Sequence, residues 1–205
     1  MRVFILSTGR SGSMTFSRAC EHITNYTSGH ESRSRLIGDD RFDYPDWHIE
    51  ADNRLAWFPG ALDQKFGKEA LYVHLLRDRT QAVESYNRRW VRNGSLVRAY
   101  CEGILQIAIH TLNRNRRIKV VGDFYDQVNE NIRQFLKDKD KVLTLRIEEM
   151  EEGFPEFWQE IGAEGNLELA METLKVAHNR SSKSRFKLFR HEVKFYLMRL
   201  RRQIF

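Results

Sequence analysis

The sequence predicts an α/β fold in which a central parallel sheet is covered by helices on both faces. The apolar runs at residues 3–6 and 70–76 are typical of strands buried on both faces, and the alternating segment 141–147 predicts a third strand. Segments with apolar residues at helical spacing lie between these strands. Because strands that alternate with helices pair in parallel, we expect a three-layer sandwich.

Weaker patterns complete the expected element order. A short strand is predicted at 48–51 and another at 118–121, while residues 25–28 are expected to lead into a polar loop at 29–35. Asn53 is expected to cap a helix, because its side chain is a good acceptor for free backbone N–H groups. After the first helix, which starts at Met14, helices are predicted over 53–66, 96–112, 122–137, 155–161, 167–177 and 186–204.

Length and composition predict an ordinary single domain. The chain has 205 residues, of which 41% are hydrophobic and 30% charged, so it can bury a good core over 1–205. We expect the basic loop and helix at 178–205 to pack on that domain.

No apolar run reaches membrane-spanning length and the N-terminus does not resemble a signal peptide, so we expect a cytoplasmic protein without a membrane span. Cys20 and Cys101 are expected to be buried, reduced thiols, and no metal-ligand spacing occurs.

A small, polar loop follows the first strand. Residues 7–13 read STGRSGS, and a helix follows from Met14. A strand, a glycine-containing loop and a helix start direct free backbone N–H groups at one spot, where an anion such as phosphate binds. Arg10 would add a full charge there. The loop lacks the lysine that follows the second glycine in G-x-x-x-x-G-K-[ST], and an ordinary Gly- and Ser-rich turn is the alternative.

A second basic element follows the strand 70–76. Arg77 comes directly after this strand, and Ser85 lies eight residues further on, about two turns along the next helix. Since the carboxyl ends of parallel strands meet at one edge of a sheet, we expect Arg10 and Arg77 to lie close together. A phosphate held by Arg77 and the Ser85 hydroxyl would explain the pattern. The alternative is a surface ion pair between Arg77 and Asp78 with an exposed Ser85.

These elements resemble the motifs of sulfotransferases. The order Arg10-Ser11-Gly12-Ser13 resembles the loop that binds the 5′-phosphosulfate of 3′-phosphoadenosine 5′-phosphosulfate (PAPS), and the segment 73–79 followed by Ser85 resembles the 3′-phosphate motif. The segment 143–150 resembles a late strand of the same family, with Arg146 pairing with Glu148 or Glu149. Together these resemblances touch most of the first 150 residues. Met14 departs from the family pattern, which often has Thr or Ser there.

The resemblance implies a P-loop NTPase-like sulfotransferase architecture and a metal-free transfer of a sulfonyl group from PAPS to a hydroxyl acceptor, with adenosine 3′,5′-bisphosphate as product. The acceptor would be a small molecule or a glycan with a hydroxyl group, and no nucleic acid is expected as a partner. The residues that this resemblance implies for binding the donor are Arg10, Ser11, Gly12, Ser13, Met14, Thr15, Arg77, Ser85, Arg180 and Lys183.

The catalytic base is predicted from the segment 29–33, GHESR, which resembles a segment of tyrosylprotein sulfotransferases. The resemblance implies that Glu31 is the general base and that Arg33 positions the base or the acceptor, while Arg10 stabilises the leaving phosphate. Rival bases are His30 and His48, and a solvated loop carboxylate is the alternative for Glu31. His74, inside a strand, is expected to be a core histidine. Candidate contacts for the acceptor are His30, Arg33, His48 and Asn53.

The positive charge is concentrated at the C-terminus. Of the net charge of +6, residues 180–205 carry nine Lys and Arg and one Glu, a net of +8, so residues 1–179 carry −2. In the sulfotransferases that the chain resembles, a basic C-terminal segment closes over the 3′ phosphate and the adenine. This implies a donor-binding role for Arg180 and Lys183, whereas a solvated basic tail is the alternative.

Two other functions stay open at the level of sequence. One is a nucleotide-dependent kinase or NTPase, which needs Mg²⁺ ligands and a loop lysine; the missing lysine counts against it. The other is a non-catalytic polyanion-binding module that uses the basic tail. The oligomeric state is not predicted.

Overall fold

Five parallel strands form the central sheet of the fold. The computed structural model describes residues 1–90 and 94–177. The strands are Arg2–Leu6 (β1), Thr27–His30 (β2), His48–Ala51 (β3), Leu71–Leu76 (β4) and Val142–Arg146 (β5). The helices are Ser13–Cys20 (α1), Pro59–Phe66 (α2), Arg79–Asn87 (α3), Leu96–Ala99 (α4), Arg114–Leu136 (α5), Met150–Glu160 (α6) and Leu167–Ala177 (α7).

The chain divides into two units by its internal contacts. The first unit contains residues 1–78 and the described residues from 127 onward, including the whole sheet. The second unit contains residues 79–126 apart from 91–93. The α/β fold with helices flanking a central parallel sheet is confirmed.

Both faces of the sheet in the first unit are buried, which explains the continuous apolar runs. Val3 and Ile5 on β1 belong to a core that includes Phe16 of α1 and residues of α6 and α7. Phe4 points to the opposite face, where its ring packs against that of Phe66 on α2 with the ring centroids 4.7 Å apart. Successive side chains on a strand alternate between faces, so β1 joins two separate cores.

The strand order places five loops at one edge of the sheet. The order is β2-β3-β1-β4-β5, with every neighbouring pair parallel. The chain therefore leaves each strand at the same edge, and β1 stands at the centre, where the connections change direction. Ligands of open parallel sheets bind at this edge, which makes it the place to look for a site.

The predicted loop 29–35 and the segment that leads into it are wrong in part, because Thr27–His30 forms the edge strand β2. Its sequence, TSGH, has few residues that favour strands. Side-chain contacts hold it instead: the Ser28 hydroxyl donates to the carbonyl of Ser17 at 2.9 Å, and Thr27 Oγ1 lies 2.8 Å from Nδ1 of His48.

The single helix predicted over 53–66 is also wrong. A short 3₁₀ turn at Leu55–Trp57 is followed by α2, which starts at Pro59, and the side chain of Phe58 is 41% exposed rather than buried. Proline disfavours the helical conformation of the residue before it, so Pro59 separates the two pieces. Asn53 does not act as the cap, because the carboxylate of Asp52 accepts from the backbone N–H of Arg54 at 2.8 Å.

Two further boundaries differ from the prediction. The strand predicted at 118–121 lies inside α5, because the apolar spacing of Val121, Phe124 and Val128 is helical and overrides the local strand preference. The helix predicted over 155–161 starts earlier, at Met150. The strands at 48–51, 70–76 and 141–147 are confirmed within one residue.

In the second unit, the helix predicted over 96–112 is interrupted. Only α4 is α-helical, and it continues as a π-helical turn at Tyr100–Ile104. Gln106 has a φ of 55°, which ends the turn, and a short 3₁₀ turn follows at Ile109–Thr111. Cys101 is buried in this segment, and Cys20 is buried in the first unit; both are free thiols, as predicted.

Candidate functional site at the carboxyl edge of the sheet

The loop between β1 and α1 has the backbone of an anion-binding loop. Gly9, Arg10 and Gly12 have φ values of 83°, 62° and 86°. Left-handed residues in such a loop turn successive backbone N–H groups towards one concavity. Arg10 adopts this conformation without being a glycine, and such strain is typical of functional loops. Gly12 directly precedes α1, so the N-terminus of that helix faces the loop.

The loops after β1 and β4 meet, as the parallel sheet predicts. The guanidinium of Arg77 donates from Nη1 to the backbone carbonyl of Arg10 at 2.9 Å. This bond fixes a cation against the loop. Asp78 is held at the same edge, because its backbone N–H donates to Glu148 Oε1 at 3.0 Å. Glu148 therefore contacts the loop after β4, whereas the sequence analysis expected Glu148 or Glu149 to pair with Arg146.

Ser11 carries a buried hydroxyl whose Oγ has no hydrogen-bond partner among the described residues. Its side chain lies inside the loop, and the residue is only 1% exposed. A buried polar group without a partner is unfavourable by about 1–3 kcal/mol, so native proteins rarely keep one without a use. A bound phosphate oxygen would satisfy this donor.

Gly12 has no room for a side chain. An added Cβ would lie 2.5 Å from Cδ1 of Ile147, and the φ of 86° is strained for any other residue. We expect Gly12→Ala to lower the free energy of unfolding by about 1–3 kcal/mol. Gly60 on α2 is the matched control, because an added Cβ there would meet nothing within 4 Å. Urea unfolding measures both variants, and equal stability of the two would contradict a tightly constrained loop.

The start of α1 is tied to the end of β2. Oγ of Ser13 lies 3.1 Å from Nε2 of His30. This contact links the β1–α1 loop to the strand that directly precedes the predicted base Glu31. The next two predicted donor contacts are less buried: Met14 is 48% exposed, and Thr15 is half-buried.

Glu31 follows β2 directly and is paired with an arginine that the sequence analysis did not select. Its Oε2 lies 2.8 Å from Nη1 of Arg54, and both side chains are half-buried. The expected partner, Arg33, points elsewhere: it donates to the carbonyl of Asp40 at 2.7 Å and lies over the ring of Tyr44. The geometry thus offers a Glu31–Arg54 pair at the edge of β2 and β3.

A fully buried carboxylate, Glu50, contacts the residue that follows Glu31. Glu50 accepts hydrogen bonds from the backbone N–H of Ser32 at 2.9 Å, from the Ser32 hydroxyl at 2.5 Å and from Nε2 of His48 at 3.1 Å. Burial alone raises the pKa of Glu50, but the hydrogen bonds from His48 and Ser32 outweigh it and leave the pKa below its usual value. Both ring nitrogens of His48 are engaged, since Nδ1 contacts Thr27, so His48 is poorly placed to take a proton from an acceptor.

Asp52, a second buried carboxylate, directly follows β3 and holds Arg54. Its Oδ1 accepts from the backbone N–H of Arg54 at 2.8 Å, and its Oδ2 accepts from Arg41 at 3.1 Å. Burial raises the pKa of Asp52 above its usual value, although the Arg54 N–H and the Arg41 charge act in the opposite direction. Asn53 lies beside this group, with its Oδ1 3.4 Å from Nη1 of Arg54.

A sequence signal for these residues exists in retrospect. The segment 48–52 reads HIEAD, in which three ionisable residues alternate with apolar ones along the strand predicted at 48–51 and the residue that follows it. His74, in contrast, is a satisfied core histidine as predicted: its Nε2 lies 2.9 Å from Oδ1 of Asn129, and burial lowers its pKa.

The three remaining predicted donor contacts, Ser85, Arg180 and Lys183, are not among the described residues of the first unit. Ser85 is buried on α3, in the second unit. Arg180 and Lys183 lie outside the described residues. Within the described ranges, no group of three or more His, Cys, Asp or Glu side chains is arranged to hold a metal ion. None of the described helices is both long and apolar enough to span a bilayer.

Comparison with known proteins supports the fold. A solved sulfotransferase domain from the curacin biosynthetic pathway is similar in structure, with a TM-score of 0.58 and 13% sequence identity over 80% of this chain and 74% of that chain. At this identity the similarity shows the fold alone, which is a sulfotransferase-like α/β fold. No protein-family model matches the sequence, and no curated protein matches it either.

Proposed function

We propose that this protein is a sulfotransferase that moves a sulfonyl group from PAPS to the hydroxyl group of a small-molecule or glycan acceptor. The observation that carries the proposal is the contact between Arg77 and the carbonyl of Arg10, which joins a cation to a left-handed loop at the central strand. The sulfotransferase-like fold supports it, because the fold places this loop where open parallel sheets bind ligands.

The residues of the β1–α1 loop fit the phosphosulfate end of this donor. The backbone N–H groups around Gly12, the positive end of α1 and the Ser11 hydroxyl are all suited to an anion. Arg10 and Arg77 supply positive charge. The other residues implied by the resemblance, Ser85, Arg180 and Lys183, stay predictions for the 3′-phosphate side.

Glu31 is the base in this proposal. When bound, PAPS supplies the sulfonyl group and a phosphate leaving group. Glu31 takes the proton of the acceptor hydroxyl, so that the oxygen can attack in line. Arg54 holds the Glu31 carboxylate at 2.8 Å and fixes its direction. Arg10 stabilises the negative charge that develops on the leaving phosphate, as preorganised cations do in phosphoryl transfer.

The kinase alternative is less well supported by the loop. A nucleoside triphosphate loop places a lysine and a Ser or Thr after its second glycine, where this chain has Ser13 and a half-exposed Met14. Neither side chain carries the positive charge that the loop lysine supplies to the β- and γ-phosphates. The polyanion-binding alternative depends on the C-terminal residues, which lie outside the described ranges.

Ser11→Ala separates ligand binding from stability. Because the Ser11 hydroxyl is buried without a partner among the described residues, its removal is expected to keep the free energy of unfolding at least at the wild-type value and to raise it by up to about 1–3 kcal/mol. The same change removes a hydrogen bond to a charged ligand and is expected to weaken adenosine 3′,5′-bisphosphate roughly tenfold or more. Calorimetric titration and urea unfolding measure the two effects, and unchanged affinity would contradict the donor site.

Direct assay tests the activity. The full chain is incubated with PAPS and, in turn, a tyrosine-containing peptide, a disaccharide and a primary alcohol, and the formation of adenosine 3′,5′-bisphosphate is followed. Acceptor-dependent product is expected for at least one class. Saturable donor binding with no transfer to any acceptor of these classes would overturn the proposed chemistry.

A further inference from the structure

Strand β3 places ionisable side chains on a buried face. Glu50 and Asp52 are both 0% exposed, and they alternate with Ile49 and Ala51, which belong to the apolar core on the other face. A carboxylate taken out of water is strongly unfavourable unless its hydrogen bonds are replaced. A strand in this position usually carries apolar residues on both faces. Two buried acids, one on this short strand and one directly after it, therefore call for an explanation.

The hydrogen bonds of the two carboxylates lead to the same place. Glu50 accepts from the backbone N–H and the hydroxyl of Ser32, the residue that follows Glu31. Asp52 accepts from the backbone N–H of Arg54. Each carboxylate thus holds the backbone next to, or at, one member of the Glu31–Arg54 pair.

The backbone at Glu31 needs such support. Glu31 has a φ of 52°, which is uncommon for a residue other than glycine, and it follows an edge strand of only four residues. Its N–H donates to the carbonyl of Ala51 at 3.2 Å, while Glu50 holds the next N–H. Gly29 makes this approach possible, because an added Cβ would lie 2.5 Å from Oε2 of Glu50.

We propose that Glu50 and Asp52 are positioning residues that hold Glu31 and Arg54 against each other from beneath the site. The role given to Glu31 rests on the proposed function, whereas the effect on the backbone does not. We expect Glu50 to have the larger effect of the two. Its carboxylate contacts Ser32 after the end of β2 and, through His48, Thr27 at the start of β2. Neither carboxylate contacts the β1–α1 loop in the described hydrogen bonds, so donor binding is independent of them.

Glu50→Gln tests the proposal, because the amide keeps the shape but cannot accept from all three donors. We expect kcat with the best acceptor of the panel above to fall roughly 10- to 100-fold, the usual result of misplacing a catalytic group. The KM for PAPS and the affinity for adenosine 3′,5′-bisphosphate are expected to stay within about twofold. Asp52→Asn is expected to act in the same direction. If Glu50→Gln folds poorly, Ser32→Ala at an exposed residue replaces it, because this change removes only the hydroxyl donor to Glu50 and is expected to lower kcat less.

Amide hydrogen exchange supplies a measurement that does not depend on activity. We expect the Ser32 amide to exchange at least about tenfold faster in Glu50→Gln, since Glu50 is its acceptor. Asn129→Ala is the matched control, because it removes a buried hydrogen bond to His74 on β4, away from Ser32. Faster exchange at Ser32 in both variants would mean a general loss of stability and would overturn the proposal.

The outcomes separate this inference from the proposed function. Wild-type protein that shows no transfer, with Ser32 exchange specifically faster in Glu50→Gln, would refute the sulfotransferase proposal and support the positioning of the turn. An active wild type whose Glu50→Gln and Asp52→Asn variants keep full kcat would overturn the positioning role while leaving the proposed function intact.

Discussion

Replacing Arg77 with alanine is expected to weaken adenosine 3′,5′-bisphosphate and PAPS alike. Arg77 is joined to the β1–α1 loop through the carbonyl of Arg10, and the resemblance assigns it to the 3′ phosphate, which does not change in the proposed reaction. Removing one member of a charge-assisted pair costs about 2–4 kcal/mol of binding, or roughly 30- to 800-fold in Kd. Calorimetric titration with the bisphosphate measures the loss.

The matched control for this experiment is Arg133→Ala. Arg133 is an exposed arginine of α5 that pairs with Glu130 three residues away, a contact of little energetic value. It should bind the bisphosphate as wild type does. If Arg77→Ala also binds with wild-type affinity, the arginine has only a structural contact with the loop, and the assignment of the donor site is wrong.

Glu31→Gln is expected to leave donor binding intact and to reduce kcat by roughly 10²- to 10⁴-fold, the usual contribution of a positioned general base. Glutamine keeps the shape of the side chain and a hydrogen bond to Arg54 but cannot take a proton. Steady-state rates with the best acceptor, together with the Kd for the bisphosphate, distinguish a lost base from a lost fold.

Glu156→Gln, an exposed carboxylate on α6, controls for the loss of one negative charge. Turnover of Glu31→Gln close to that of Glu156→Gln would make Glu31 a loop residue. His30 would then become the first candidate, because its Nε2 already contacts Ser13 at the start of α1. His48 is the weaker rival, since both of its ring nitrogens are engaged.

Much of the sheet was predictable because its central strands carry their own signal. The strands β1 and β4 are buried on both faces, so their apolar runs stand out from the polar loops around them. The edge strand β2 has no such signal, because its pairing depends on contacts such as Ser28 with Ser17 that join distant segments. Local propensity likewise failed at 118–121, where the helical apolar spacing of α5 prevails.

The site was predictable only where strand direction alone decides the geometry. The contact between Arg77 and the carbonyl of Arg10 requires only that β1 and β4 are parallel neighbours, because both loops then leave the sheet at the same edge. The pairing of Glu31 with Arg54 requires that β2 lies next to β3, and the sequence does not reveal this order. Arg33 was therefore expected where Arg54 stands. Buried acids such as Glu50 are equally hidden until the strand that carries them is known to be covered.

The central claim, a metal-free site for a 3′-phosphorylated adenosine donor, is tested most directly by thermal stability in the presence of nucleotides. The full chain is heated with adenosine 3′,5′-bisphosphate or with ATP, each with and without Mg²⁺. A ligand that binds only the folded state raises Tm, by an amount that grows with the logarithm of the ratio of its concentration to Kd. We expect the bisphosphate to raise Tm without Mg²⁺, and ATP to have no comparable effect under either condition. A rise in Tm with ATP and Mg²⁺, and none with the bisphosphate, would contradict the account.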